Sequence, residues 1–125
     1  MRYLLDTTVI IEYAIGDESA DGVVRRCFEE TGDVFVCDVV TCEALSGGNE
    51  AERAAIARFL APVEFVALSP ADARLAGDLR RAAGRTSGRT LGDALIAALA
   101  LANDATVVSR NGGDFRPMGV RVLEY

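Results

Sequence analysis

Histidine and lysine are both missing from this chain of 125 residues, and each absence excludes chemistry. Without imidazole there is no Ser-His-Asp or Cys-His nucleophile, no RNA cleavage by a histidine pair and no zinc site built on His. Without a lysine ammonium there is no P-loop NTPase and no Schiff-base enzyme. All 13 basic residues are arginine. Long apolar runs are missing too, none approaching the ~20 residues of a spanning helix. Asp6 and Glu12 interrupt the N-terminal stretch MRYLLDTTVIIEY, which therefore lacks a signal-peptide core. The expectation is a cytoplasmic protein with no membrane association. Cysteine is scarce and odd in number: Cys27, Cys37 and Cys42 match no zinc spacing, so reduced, partly buried thiols are expected.

With 50% hydrophobic and 26% charged residues, the composition is that of a soluble globular protein. The length suits a single domain over residues 1–125 that needs no disulfide or structural metal to support its core. The tools left for chemistry are carboxylates, hydroxyls and arginines, and the partner such a set favours is a hard divalent cation. Short apolar runs predict strands near 3–5, 34–37, 64–68, 106–109 and 120–123. Helical spacing and end signals predict helices near 8–15, 19–30, 38–47, 51–60, 72–83 and 91–102. The last of these is apolar around most of its circumference and is expected at the centre. Strands alternating with helices imply a parallel sheet covered on both faces. Ligands in such sheets sit beyond the carboxyl ends of the strands, where the strand order reverses.

Four acids fall near those ends. Asp6 follows the first strand, where it serves equally as a helix N-cap. Glu43 comes after the second strand, and its structural reading is a first-turn glutamate favouring the helix dipole. Asp93 stands three residues after Thr90, the spacing of a capping box. Asp114 lies in the Asn-Gly-Gly-Asp stretch after the fourth strand, which reads as a loop. Each alone is ordinary. Together they bring several carboxylates to one sheet edge, where two bare charges ~4 Å apart repel by roughly 4 kcal/mol at an effective dielectric near 20. Arginine or a divalent cation would offset that repulsion, and carboxylates with open water positions suit Mg²⁺ or Mn²⁺.

The segments LLDTTVIIEY, the Glu43 stretch DVVTCEAL, LGDALIAALALANDATVVSRNGGDF and the closing VRVLEY resemble a PIN-domain protein, and more narrowly the VapC-type toxins of bacterial toxin–antitoxin pairs. The resemblance runs the length of the chain. It implies a PIN-like three-layer α/β/α sandwich with a central, mainly parallel five-stranded sheet. It also implies a metal-dependent endoribonuclease that uses Mg²⁺ or Mn²⁺ held by Asp6, Glu43, Asp93 and Asp114. Thr7 and Ser109 are then supporting hydroxyls. At the fourth position the family often carries an aspartate where this chain has Asn111, and Asp114 supplies the nearest carboxylate. A metal-held water would make histidine unnecessary.

The net charge of −6 and the low pI weigh against a nucleic-acid partner. Locally the balance is reversed: Arg80, Arg81, Arg85 and Arg89 crowd the stretch before Asp93, with Arg110 and Arg116 on the other side. Arg81, Arg85 and Arg89 are the candidates for gripping RNA phosphates, their structural reading being solvated helix-end arginines. The resemblance further implies a cognate antitoxin protein and a homodimer. Ile11, Tyr13, Ile15 and Val24 would serve either as that apolar surface or as core. A receiver domain would need a phosphoacceptor aspartate where Leu68-Ser69-Pro70 stands and a late lysine, and a haloacid-dehalogenase-like phosphatase would need aspartate where Thr8 stands. A non-catalytic PIN-fold binding protein is the competing reading, with the acids serving as caps.

Overall fold

The computed structural model describes residues 1–84 and 90–125. Five short strands form one sheet in the order β3-β2-β1-β4-β5, and every pairing is parallel. They are β1 (Arg2–Leu5), β2 (Val34–Val36), β3 (Glu64–Phe65), β4 (Ala105–Val108) and β5 (Val122–Leu123). The helices between them are α1 (Thr7–Ala14), α2 (Glu18–Glu30), α3 (Asp38–Leu45), α4 (Glu50–Leu60), α5 (Pro70–Ala82), α6 (Leu91–Ala102) and the single turn α7 (Gly112–Phe115). A 3₁₀ turn at Arg116–Met118 follows α7. This is the α/β sandwich with a parallel five-stranded sheet expected from the alternation of runs. Among the described residues, no helix is long and apolar enough to cross a membrane.

β1 is the central strand. It pairs with β2 through Tyr3–Val34 and Leu4–Phe35, and with β4 from Arg2–Ala105 to Leu5–Val108. The chain thus builds outward on one side of β1, returns, and builds outward on the other, so the strand order reverses between β1 and β4. Leu4, Leu5, Phe35, Val107 and Val108 are fully buried, as continuous apolar runs in a doubly covered sheet require. α6 matches its expected bounds and buries Ala94 and residues 96–100 against the sheet. α5 packs along it.

The differences lie at the edges and ends. The third strand is only two residues long: its partner β2 ends at Val36, and beyond it the Leu68 amide donates to the Asp38 carboxylate at 3.3 Å. Short strands at both edges limit the unpaired backbone that could recruit another chain. α5 starts at Pro70 rather than at residue 72, since Ser69 and Asp72 form a reciprocal capping box with proline at the first helical position. Asp114 lies on α7 rather than in a loop. Val24 is core, and Ile11 and Tyr13 pack on the core half-buried, Tyr13 against Phe59 at 4.6 Å. Of that group only Ile15 stays exposed. Cys27 and Cys37 are buried free thiols and Cys42 is an exposed one. Burial pushes the Cys27 thiol up to about 11.

Candidate metal centre

Asp6 ends β1 and caps α1, and its carboxylate is buried, with 7% of the residue exposed. One oxygen, Oδ1, accepts from the Thr7 amide at 2.8 Å. The other, Oδ2, accepts from the Ser109 hydroxyl at 2.8 Å. Ser109 follows β4 and is fully buried, so this bond spans the β1–β4 boundary where the strand order reverses. The Asn111 amide donates to Ser109 Oγ at 2.9 Å, which leaves the hydroxyl proton directed at Asp6.

Burial pushes the Asp6 carboxyl above the usual carboxylate range. The bonds from Ser109 and Thr7 oppose that rise, and the charges of Glu43 and Asp114 add to it. No arginine bonds to Asp6 among the described residues. Among the described residues, this buried carboxylate has two dipolar donors and the charges of two further acids near it, but no bonded cation to offset them.

Glu43 is the sixth of the eight residues of α3, in its last turn, so the expectation of a first-turn residue supporting the dipole is overturned. A negative charge at that end of a helix is unfavourable, and helix stability does not explain it. The side chain turns toward the β1 end instead. Oε1 accepts from Thr7 Oγ1 at 2.7 Å, and a Cβ on Gly92 would stand 3.0 Å from Oε2. Glycine at position 92 therefore lets the Glu43 carboxylate lie against the first turn of α6, whose positive end favours it. Asp93 follows Gly92 directly, half-buried at the third position of α6. Thr90 makes no capping bond to that helix, so the capping-box expectation fails on its threonine side.

The chain of contacts runs from Asp6 and Thr7 through Glu43 to Gly92 and Asp93, and from Asp6 through Ser109 to Asn111 and α7, which carries Asp114. Four segments distant in the chain meet at one end of the sheet. Asn111 contributes its backbone, and its side chain makes no cap bond to α7. Among the described residues, no group of three or more acids or thiols stands close enough to hold an ion on its own. An open groove of about 480 Å³ runs beside Glu43 and Gly92, walled by Val39, Leu68, Leu91 and Leu95, with Asp38 and Cys42 along it.

The signal in the sequence for Gly92 was a glycine inside a helix that, apart from Asp93, is built of alanine, leucine and isoleucine, where it costs about 1 kcal/mol against alanine. The arginine expectations divide. Arg81 is exposed on the last turn of α5. Arg85 and Arg89 lie outside the described residues. Arg110 and Arg116 are occupied within the molecule, Arg110 by Glu12 and Asp17 and Arg116 by Glu124 at 2.9 Å. Arg110 is thus engaged on several sides, while Arg116, half exposed, makes a single surface pair.

The PIN domain family model matches residues 3–120. Ribonuclease VapC19 of Mycobacterium tuberculosis is 30% identical over 110 residues, covering 86% of this chain and 87% of that protein. Among solved structures, VapBC2 from Rickettsia felis, bound to a DNA fragment from its promoter, superposes with a TM-score of 0.81 at 21% identity, over 100% of this chain and 99% of the other. A toxin–antitoxin complex from Klebsiella pneumoniae gives 0.75 at 22% identity, over 97% and 95%. At those identities the structural likeness is one of fold.

Proposed function

This chain belongs to the PIN-domain family, and from that premise we propose that it is an endoribonuclease dependent on Mg²⁺ or Mn²⁺, the toxin half of a toxin–antitoxin pair. The observation that carries the reading is the buried Asp6 carboxylate, which feels the charges of Glu43 and Asp114 and has no arginine bonded to it among the described residues. Carboxylate oxygens are hard donors, and Mg²⁺ is commonly held by one or two carboxylates, with water and substrate phosphate completing its shell. Carboxylate donors of this kind suit such an ion: Asp6 and Asp93 would hold it, with Glu43 and Asp114 contributing directly or through water. When bound, the ion supplies charge stabilisation of the phosphodiester and an activated water.

This chain's own residues do the rest. Thr7 and Ser109 orient the Glu43 and Asp6 carboxylates by donating to one oxygen of each. The buried strand ends exclude bulk water from beneath the site, which strengthens its electrostatics. Arg81, with Arg85 and Arg89, supplies positive charge for the RNA backbone on an otherwise acidic molecule. The apolar groove beside Glu43, edged by Asp38, suits a segment of a cognate antitoxin. A homodimer belongs to the proposal on the family resemblance alone, and light scattering behind size exclusion at micromolar concentration checks it.

Purified protein freed of partner should cut structured RNA with Mg²⁺ or Mn²⁺ and stop on chelation. Asp6→Asn and Asp93→Asn should each abolish cleavage without unfolding the chain. Intact RNA with every divalent ion tried would leave a PIN-fold binding protein in place of an enzyme.

A further inference from the structure

We propose that Arg110 is a positioning residue of the carboxylate site, acting through Ser109, and not a contact to RNA phosphate. The inference rests on the ribonuclease reading above. Arg110 follows Ser109 directly at the end of β4. Its Nε donates to both Glu12 oxygens, at 3.0 and 2.7 Å, and its Nη2 donates to Asp17 Oδ2 at 3.0 Å. The guanidinium carbon sits 4.4 Å from the centre of the Tyr125 ring, and the Tyr125 hydroxyl donates to Glu12 Oε2 at 3.2 Å. A planar guanidinium satisfied by two carboxylates and one ring face offers an incoming phosphate little, since binding there would first require displacing Glu12 or Asp17.

The partners explain what the cluster does. Glu12 lies on α1, the helix capped by Asp6. Asp17 caps α2 through the same Oδ2 that Arg110 uses, so Arg110 also holds the corner between α1 and α2. The end of β4 is thus joined to α1 twice. Ser109 grips the cap residue of the helix, and Arg110 grips its other half, six residues further along. Two ties one residue apart on the strand side leave Ser109 no freedom to swing away from Asp6. The Asn111 amide, bonded to the same hydroxyl, fixes the direction of its proton. Loss of Arg110 leaves one tie, a buried serine able to turn, and the Glu12 and Asp17 carboxylates without their arginine.

The test uses the full chain and compares Arg110→Ala, Arg110→Lys, Ser109→Ala and the double variant Arg110→Ala/Ser109→Ala. Mn²⁺ affinity is read by paramagnetic resonance, RNA affinity and its salt slope by anisotropy in chelator, and cleavage as kcat and KM. Partners behind metal ligands are commonly worth 10–100-fold in affinity. Arg110→Ala should weaken Mn²⁺ about tenfold and lower kcat about 100-fold, the scale of an ångström of misplacement. KM, RNA affinity in chelator and the salt slope should stay unchanged. The double variant should bind Mn²⁺ no more weakly than Ser109→Ala alone, and lysine, lacking the fork, should recover only part of the loss.

Weakened RNA binding with a flatter salt slope and intact Mn²⁺ affinity would make Arg110 a phosphate contact and overturn the proposal. Wild-type behaviour of Arg110→Ala, or losses that add in the double variant, would overturn it equally. Should Arg110→Ala fail to fold, Glu12→Gln, which keeps size and removes the charged acceptor, is held to the same criteria. A wild-type protein that neither binds Mn²⁺ nor cuts RNA would remove the ribonuclease reading itself, an outcome distinct from failure of the clamp alone.

Discussion

Asp6 is the residue on which stability and activity pull in opposite directions. Its carboxyl is buried beside two like charges and titrates above the ordinary range, so the folded chain holds that proton more tightly than the unfolded chain does. The stability associated with the protonated form is complete below the usual carboxylate pKa and is lost as pH rises through the raised value. In chelator, Asp6→Asn should therefore unfold at a higher temperature than wild type at neutral pH, and the gap should close as pH falls toward 4. Adding Mn²⁺ should reverse the order, because only the wild type gains RT ln(1 + [L]/Kd). A scanning-calorimetry series over pH with and without Mn²⁺ measures both. An asparagine variant that melts lower at every pH would mean that Asp6 is chiefly a cap.

Among the elements, α6 and α7 carry contrasting duties. Ile96 in α6 is 1% exposed while Leu101, five residues on, is 40% exposed. Ile96→Ala should cost about 2–5 kcal/mol and Leu101→Ala no more than about 0.5 kcal/mol, as read by urea titration. α7 is held at its start rather than by its length. The Gly112 amide donates to Glu124 Oε1 at 3.0 Å, and Arg116 pairs with the other oxygen at 2.9 Å. These two contacts hold the Glu124 carboxyl below the usual range. A Cβ at Gly112 would stand 2.5 Å from Arg116 Nη1 and 2.8 Å from Glu124 Oε1, so Gly112→Ala must push the pair apart. The variant should fold, return the Glu124 titration toward its ordinary value, and loosen the turn that carries Asp114. NMR titration of the glutamates checks the shift.

At the scale of the whole molecule, the two ends of the sheet do different work. The end that carries β1's first residue is tied by Arg2, which bonds to Asp33 at 3.0 Å, Glu64 at 2.9 Å and Asn103 at 2.9 Å, and lies 4.5 Å over Phe35. One side chain thereby holds segments before β2, at β3 and before β4. The opposite end gathers the carboxylates. Arg2→Ala should lower the unfolding midpoint by several degrees, about 4 °C per kcal/mol for a domain of this size, while leaving Mn²⁺ affinity unchanged. Equal loss of both would mean that the two ends are coupled through the sheet.

Much of the fold was legible because it rests on local pattern: alternating apolar runs gave parallel strands, and the alanine- and leucine-rich stretch gave α6 with its bounds. The edges were less legible, since the length of β3 depends on where β2, some thirty residues earlier in the chain, ends. Asp6 could be read from its place after β1; the reading of Glu43 as a first-turn residue failed even though the helix start at Asp38 was expected, because the sixth residue of a helix already lies in its second turn.

By itself the sequence determined the inventory, carboxylates and hydroxyls without histidine or lysine, and the sheet edge to which most of them would be delivered. Only the tertiary structure decided their partners: Thr7 with Glu43, Ser109 with Asp6, Gly92 as the space Glu43 needs, and Arg110 engaged by Glu12 across ninety-eight residues. The reason is physical. Propensity and periodicity act over one or two turns of chain, whereas a hydrogen bond between distant segments exists only once strand order and register have set the distance between them.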